Sequence, residues 1–295
     1  MTVSCADSGG VRRGSRLRRW RHVPVLSLAL LAIVCVISSA GPLLPFVDPV
    51  SGSLGTALKP PVWLDGGSWA YVFGTDQLGR DVLSRLIAGG RITLLIAVSG
   101  VLASAVTGTA IGLVAGYFGH WVDAMLMRIT DATLAIPLLV LGLALATSLG
   151  PGIANVVIVV TAVTWAYFAR LVRGEVLHVR GREYVIAAQI AGIPQIRILT
   201  RHVLPNVLSP ILVMASLQVG NTIILASSLS FLGLGVREPD AEWGLMLANA
   251  RDYTSLMPHL VVIPAVALGL LVLASNLVGD WLRDRFDPEL DHLKQ

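Results

Sequence analysis

Six long apolar runs alternate with polar segments along the chain, each near the roughly 20 residues that carry a helix across a bilayer. They cover approximately 23–46, 92–115, 132–149, 153–169, 207–229 and 259–278. This pattern predicts an all-α integral membrane protein with six transmembrane helices. The polar remainder divides into a tail at 1–22, a segment at 47–91, a loop at 170–206 inside the 92–280 core, and a tail at 281–295. Arginines before the first run and Ser38, Ser39 and Ala40 within it also fit a cleaved signal peptide. The apolar run continues past them to Leu44, which favours an uncleaved helix.

Composition agrees: 55% of residues are hydrophobic and 14% charged, and the mean hydropathy is +0.75. Such a chain has too little polar surface to cover a soluble fold of its length. Twenty of the 22 basic residues are arginine. They gather before the first run, from Arg12 to Arg21, and around the fourth gap, at Arg170, Arg173, Arg180, Arg182, Arg197 and Arg201. Clustering of this kind marks membrane topology rather than a nucleic-acid surface, and excludes nucleic acid as an expected partner. It places both termini, a 116–131 turn and the 170–206 loop in the cytoplasm, with the arginines of that loop acting as topology signals. The segments at 47–91 and 230–258, in which eight acids balance six bases, fall outside the membrane.

Within the second run, Gly100, Ser104, Gly108, Gly112 and Gly116 recur every four residues. That spacing makes a groove along one side of a helix, a seam where another backbone can approach closely. The fifth run carries Gln218, Asn221 and Thr222. Polar side chains at that depth avoid lipid, so they either join helices or line a translocation path. Asp, Glu, Lys and Arg are missing from the centres of the runs, which removes the usual ion-coupling groups of a secondary carrier. Before the second run, Asp81 and Arg85 at i and i+4, with Gly89 and Gly90 after them, predict a short helix lying on the membrane surface.

No energy-converting chemistry is written in the chain. A phosphate-cradling P-loop needs Gly-Lys-Ser/Thr, and the two lysines, Lys59 and Lys294, both follow leucine. The six histidines form no metal-binding pair at i and i+4, and Cys5 and Cys35 offer no thiolate site. The chain is thus expected to hold no cofactor or metal and to be no enzyme, so any pumping requires a partner. The 170–206 loop is where a partner would act. Glu183 to Gln189 has helical spacing with small Ala187 and Ala188, Gly192 and Pro194 break it, and a second helical piece leads through Ile196 and Leu199 into the fifth run. Two short helices meet there at a corner.

The residues of that corner, Glu183, Tyr184, Ala187, Ala188, Ala191, Gly192 and Ile193, followed by His202, Pro205 and Asn206, resemble the coupling loop of bacterial ABC-importer permeases. Further segments resemble the second, C-type permease of dipeptide, oligopeptide and nickel importers. They are 73–85 with Gly74, Asp76, Gly79 and Arg80; 116–123; 230–236; 243–246; and 276–288. The resemblance implies the type I importer permease fold. It also implies a complex with a second permease, ABC ATPase subunits that hold ATP and Mg, and an extracytoplasmic solute-binding protein, set in a bacterial inner membrane. Glu183, Ala187, Ala188 and Gly192 would then contact the ATPase, with His202, Pro205 and Asn206 supporting the return to the bilayer. Peptides are the implied solute, with nickel, a metallophore or haem as the alternative, and alternating access the implied mechanism. Ile186, Ala191 and Pro194 depart from the common pattern, which bears on partner specificity more than on docking.

Overall fold

The protein is described by a computed structural model over residues 24–41 and 47–286. The arginines from Arg12 to Arg21, Cys5, the end of the first predicted run at 42–46, and the tail from Asp287 with Pro288 lie outside the described residues.

All regular structure among the described residues is helical, apart from two isolated β-bridges. Helix α1, Val25–Ala40, is apolar and 16 residues long. Helix α2 spans Val82–Phe118, α3 His120–Ala135, α4 Leu138–Leu149 and α5 Ile153–Arg180. The corner follows, with α6 at Glu183–Ile190 and α7 at Gln195–Ile198. Next come α8, Leu204–Phe231, α9, Trp243–Ala250, and α10, His259–Phe286. Four segments are individually long and apolar enough to cross a membrane: α2, α5, the stretch Gln195–Phe231, and α10. Helices α3 and α4, bent by 95° at their junction, make a fifth if taken as one broken span; α1 is apolar but shorter than these, which leaves the six predicted spans approximately matched.

Three expectations need correction. The predicted 116–131 turn is largely helix, because only Gly119, at φ +66°, interrupts the chain between α2 and α3. The third run is not one straight span. Pro137 has no N–H to give and forces Ile136 into an extended conformation (φ −85°, ψ 132°), so α3 stops there and α4 restarts. The surface helix at 81–90 does not exist as a separate element. Gly89 and Gly90 sit inside α2, where a Cβ at Gly89 would lie 2.9 Å from the Trp243 ring and one at Gly90 2.2 Å from Ser38 Oγ. They are small because neighbours press on them, not because the helix ends. Asp81 caps α2, accepting from Ser84 N at 2.8 Å, and makes no pair with Arg85.

Helices α2 and α5 form the spine. All five residues of the four-residue stripe are buried, and they face α5 of the same chain. A Cβ on Gly108 would lie 2.4 Å from the Trp165 carbonyl, and one on Gly112 2.7 Å from the Ala169 carbonyl. Ser104 and Thr164 meet hydroxyl to hydroxyl at 2.6 Å. At the end of the spine, Arg180 donates to the carbonyls of Gly116 and Tyr117 at 3.2 and 3.0 Å, satisfying acceptors that the last turn of α2 leaves open. Arg173 forks onto Asp123 of α3 at 3.0 and 2.6 Å, and Arg170 pairs with Asp131 of the same helix. Arg182 lies 3.5 Å from the His178 ring nitrogen, so four of the six arginines read as topology signals have structural partners.

Candidate functional site

The corner is built for a sharp stop. Gly192 N–H donates to the Gln189 carbonyl at 3.0 Å and Ile193 N–H to the Ala188 carbonyl at 3.2 Å, the paired bonds of a Schellman ending. This ending places the intervening residue in the left-handed region, and Gly192 has φ +72°. Pro194 then has no N–H to continue α6 and stands instead at the N-cap of α7. Val185 and Ala188 face inward and are buried with Ile198, Leu199 and Val203 against Val172, Val176 and Val179 of α5. Glu183, Tyr184, Ile186, Ala187, Ile190 and Ala191 face outward. Ile190 is 83% exposed and Ile196 69%, an apolar surface with no cover among the described residues. Ala188, grouped by sequence with the contact residues, belongs instead to the seat, and Val185 is the seat residue that sequence reasoning passed over.

The return to α8 widens. Leu199–Val203 winds as a π turn, closed by a bond from Leu204 N–H to the Leu199 carbonyl. Pro205 lacks the N–H that would continue regular α bonding there. Asn206 donates its side-chain amide to the His202 carbonyl at 2.6 Å, one residue beyond the acceptor that Pro205 leaves open. His202 is half-buried beside this turn.

The polar residues of α8 separate onto two sides. Gln218 and Asn221 line a cavity of about 470 Å³ that opens beside the α3–α4 bend, with Pro137, Thr164, Tyr167 and Ser228 on its other walls. Thr222 is buried on the opposite side, where its methyl would lie 3.5 Å from a Cβ on Gly100. Thr222 is therefore packed against α2 and does not line this cavity.

At the far end from the corner, the segments 73–85 and 230–249 interlock. Asp76 Oδ1 accepts from the backbone N–H of Leu78 and Arg80, each at 2.9 Å, a tight turn that aims Arg80 inward. Arg80 donates to Asp76 at 2.7 Å and pairs with Glu238. Arg85, only 2% exposed, reaches Glu238 at 3.4 Å, Asp76 at 3.6 Å and the Pro49 carbonyl at 3.1 Å. Glu242, 1% exposed, caps α9 by accepting from Gly244 N and Leu245 N at 2.9 Å each. Trp243 Nε1 donates to the Leu86 carbonyl at 2.8 Å, fastening α9 onto α2.

Residues 108–292 match the family described as binding-protein-dependent transport system inner membrane component. The chain belongs to that family. It is 42% identical over 265 residues to the di/tripeptide transport system permease protein of Pseudomonas aeruginosa, covering 90% of this chain and 87% of that one. It is 38% identical to the dipeptide transport system permease protein of Haemophilus influenzae, over 90% of each. With the glutathione transport system permease protein of Pectobacterium atrosepticum it shares 44% identity, over 77% of this chain and 75% of that one. Among solved structures, the inward-facing MetNI methionine ABC transporter superposes with a TM-score of 0.57 at 16% identity, covering 69% of this chain and 96% of that one. An amino acid ABC transporter crystallised with histidines gives 0.53, also at 16% identity, covering 69% and 94%. The fold is that of the type I ABC importer permeases.

The motifs that carried the resemblance acquire physical reasons in this permease. Gly74, Asp76, Gly79 and Arg80 make the turn that presents Arg80, and Trp243 and Gly244 make the α9 seat. Sequence reasoning missed Glu238 and Glu242, which stand 158 and 149 residues from Arg80 and Thr93, the partners they meet in space. Burial pushes the Glu238 pKa up, but the Arg80 hydrogen bond and the charges of Arg85 and Arg80 outweigh it and hold the carboxyl below its ordinary 4.5. Its ionised form therefore stabilises the fold fully above pH 4.5, and that contribution is lost as pH falls through the lower folded value. Glu238→Gln is expected to lower the unfolding temperature of the purified permease at neutral pH and to flatten its fall in acid. A melting series across that range checks both.

Proposed function

We propose that this chain is one of two membrane-spanning subunits of an ATP-driven importer of short peptides. The observation that carries the reading is the α6 corner: an uncovered apolar face whose seat is part of the same buried cluster as α2, α5 and α8. A partner gripping that face moves the membrane helices with it. The relatives named for dipeptides, di/tripeptides and glutathione support peptides as the solute. Nothing in the structure favours nickel or haem, and among the described residues no three His, Cys, Asp or Glu gather closely enough to hold a metal.

In this reading both termini and α6 are cytoplasmic. ATPase subunits holding ATP and Mg grip α6 and the matching helix of a second, similar permease. A solute-binding protein delivers peptide to the end that carries α9. ATP closes the ATPase pair and draws the corners together, turning the permeases outward; hydrolysis resets them. ATP shifts that equilibrium only by its greater affinity for the closed arrangement. The test is the complete complex in proteoliposomes with its binding protein, reading ATP hydrolysis and uptake. Dipeptides are expected to raise both. Stimulation by nickel or haem in place of peptides, or hydrolysis indifferent to every solute, sinks the reading.

A further inference from the structure

The cavity beside α8 holds hydrogen-bonding capacity that the fold does not use. Asn221 Nδ2 donates to Gln218 Oε1 at 2.8 Å, which leaves the Gln218 amino group and the Asn221 oxygen without a protein partner among the described residues. Gln218 is 6% exposed, so its side chain is held in place within the protein while lining the cavity. Of the hydroxyls on its walls, Thr164 donates to the Val160 carbonyl and Ser228 to the Ile224 carbonyl, each at 2.7 Å, while Tyr167 adds a hydroxyl with no protein partner among the described residues. The amide pair lies within one helix, three residues apart, so its bond joins no two helices and does not serve as interhelical glue. Among the described residues, no Asp, Glu, Lys or Arg lines this cavity.

A free donor beside a free acceptor complements one residue of an extended peptide, whose own backbone donor and acceptor point to the same side whatever its side chain. An uncharged contact of this kind replaces part of the water lost on entry, yet lets go easily, whereas a charge would retain side chains of opposite sign. We propose that the Gln218–Asn221 amide pair contacts the backbone of peptides in transit, so that this subunit passes them without reading side-chain charge. The proposal rests on the peptide reading above.

The test uses the complete reconstituted complex and three probes: alanyl-alanine, lysyl-alanine and glutamyl-alanine. Uptake by each variant is divided by wild-type uptake of the same peptide, which cancels the selectivity of the binding protein. Asn221→Asp is expected to favour the lysyl over the glutamyl peptide by about tenfold, the scale of one charge-assisted hydrogen bond. Asn221→Leu should slow all three alike, and Asn221→Gln should restore them. Equal ratios for the three peptides in Asn221→Asp overturn the proposal, even if Asn221→Leu is slow, because a structural role would not sort peptides by charge. A wild-type complex that carries none of the three defeats the peptide reading itself, and the proposal with it.

Discussion

Gly192→Arg is expected to abolish peptide uptake by the assembled transporter while the permease remains in the membrane at normal levels. The backbone at Gly192 has φ +72°, which most side chains resist, so the variant carries strain at the turn that ends α6. Within the chain there is room, since an added Cβ meets nothing within 4 Å. The arginine therefore projects from the corner into whatever docks there, and a charged side chain between two apolar surfaces keeps them apart. Gly192→Asn separates the two effects, because asparagine tolerates the left-handed region and is small. It should retain at least part of the uptake. Uptake and co-purification of the ATPase with each variant decide the matter: an arginine variant that transports normally removes α6 as the docking face.

Gly108→Leu should be the most damaging change to the fold itself. A Cβ at this position would stand 2.4 Å from the Trp165 carbonyl and 2.5 Å from Phe168 Cβ, and Phe168 is fully buried. Backbone cannot move aside as a flexible side chain would, so α2 and α5 must separate and lose the contacts on either side. Overpacking of this severity costs about 3 kcal/mol, the upper part of the usual range. Expected results are a large loss of folded protein after detergent extraction and a lower unfolding temperature. Gly174→Ala in α5 is the control, since nothing lies within 4 Å of its added Cβ. It should be close to neutral. A leucine variant as stable as that control would mean the seam is looser than the structure shows.

Local geometry was legible in the sequence, and long-range partnership was not. The four-residue spacing in α2 located a groove, because helix periodicity alone puts such residues on one face. Gly192 and Pro194 located the corner, because a left-handed ending and a missing N–H are properties of single residues. Gly89 and Gly90 misled for the opposite reason. A glycine pair ending a helix and one receiving Trp243 and Ser38 look the same until the distant residues are known. Pro137 carried a readable signal for the break between α3 and α4, which the surrounding apolar run outweighed. Glu238 carried no such signal, since an acidic residue before a proline in a loop gives no hint of two buried arginines far along the chain. Thr222 shows the same limit at smaller scale: neighbouring polar positions on one helix, Asn221 and Thr222, point to different surroundings.

Helix α2 has 37 residues, about 55 Å at helical rise, far more than a bilayer requires. Trp243 holds it near one end, Arg180 holds it at the other, and α5 lies along its flank without a gap for a side chain. A rod restrained in this way is expected to tilt together with α5, so that a small rotation at one membrane face becomes a proportionate displacement at the other.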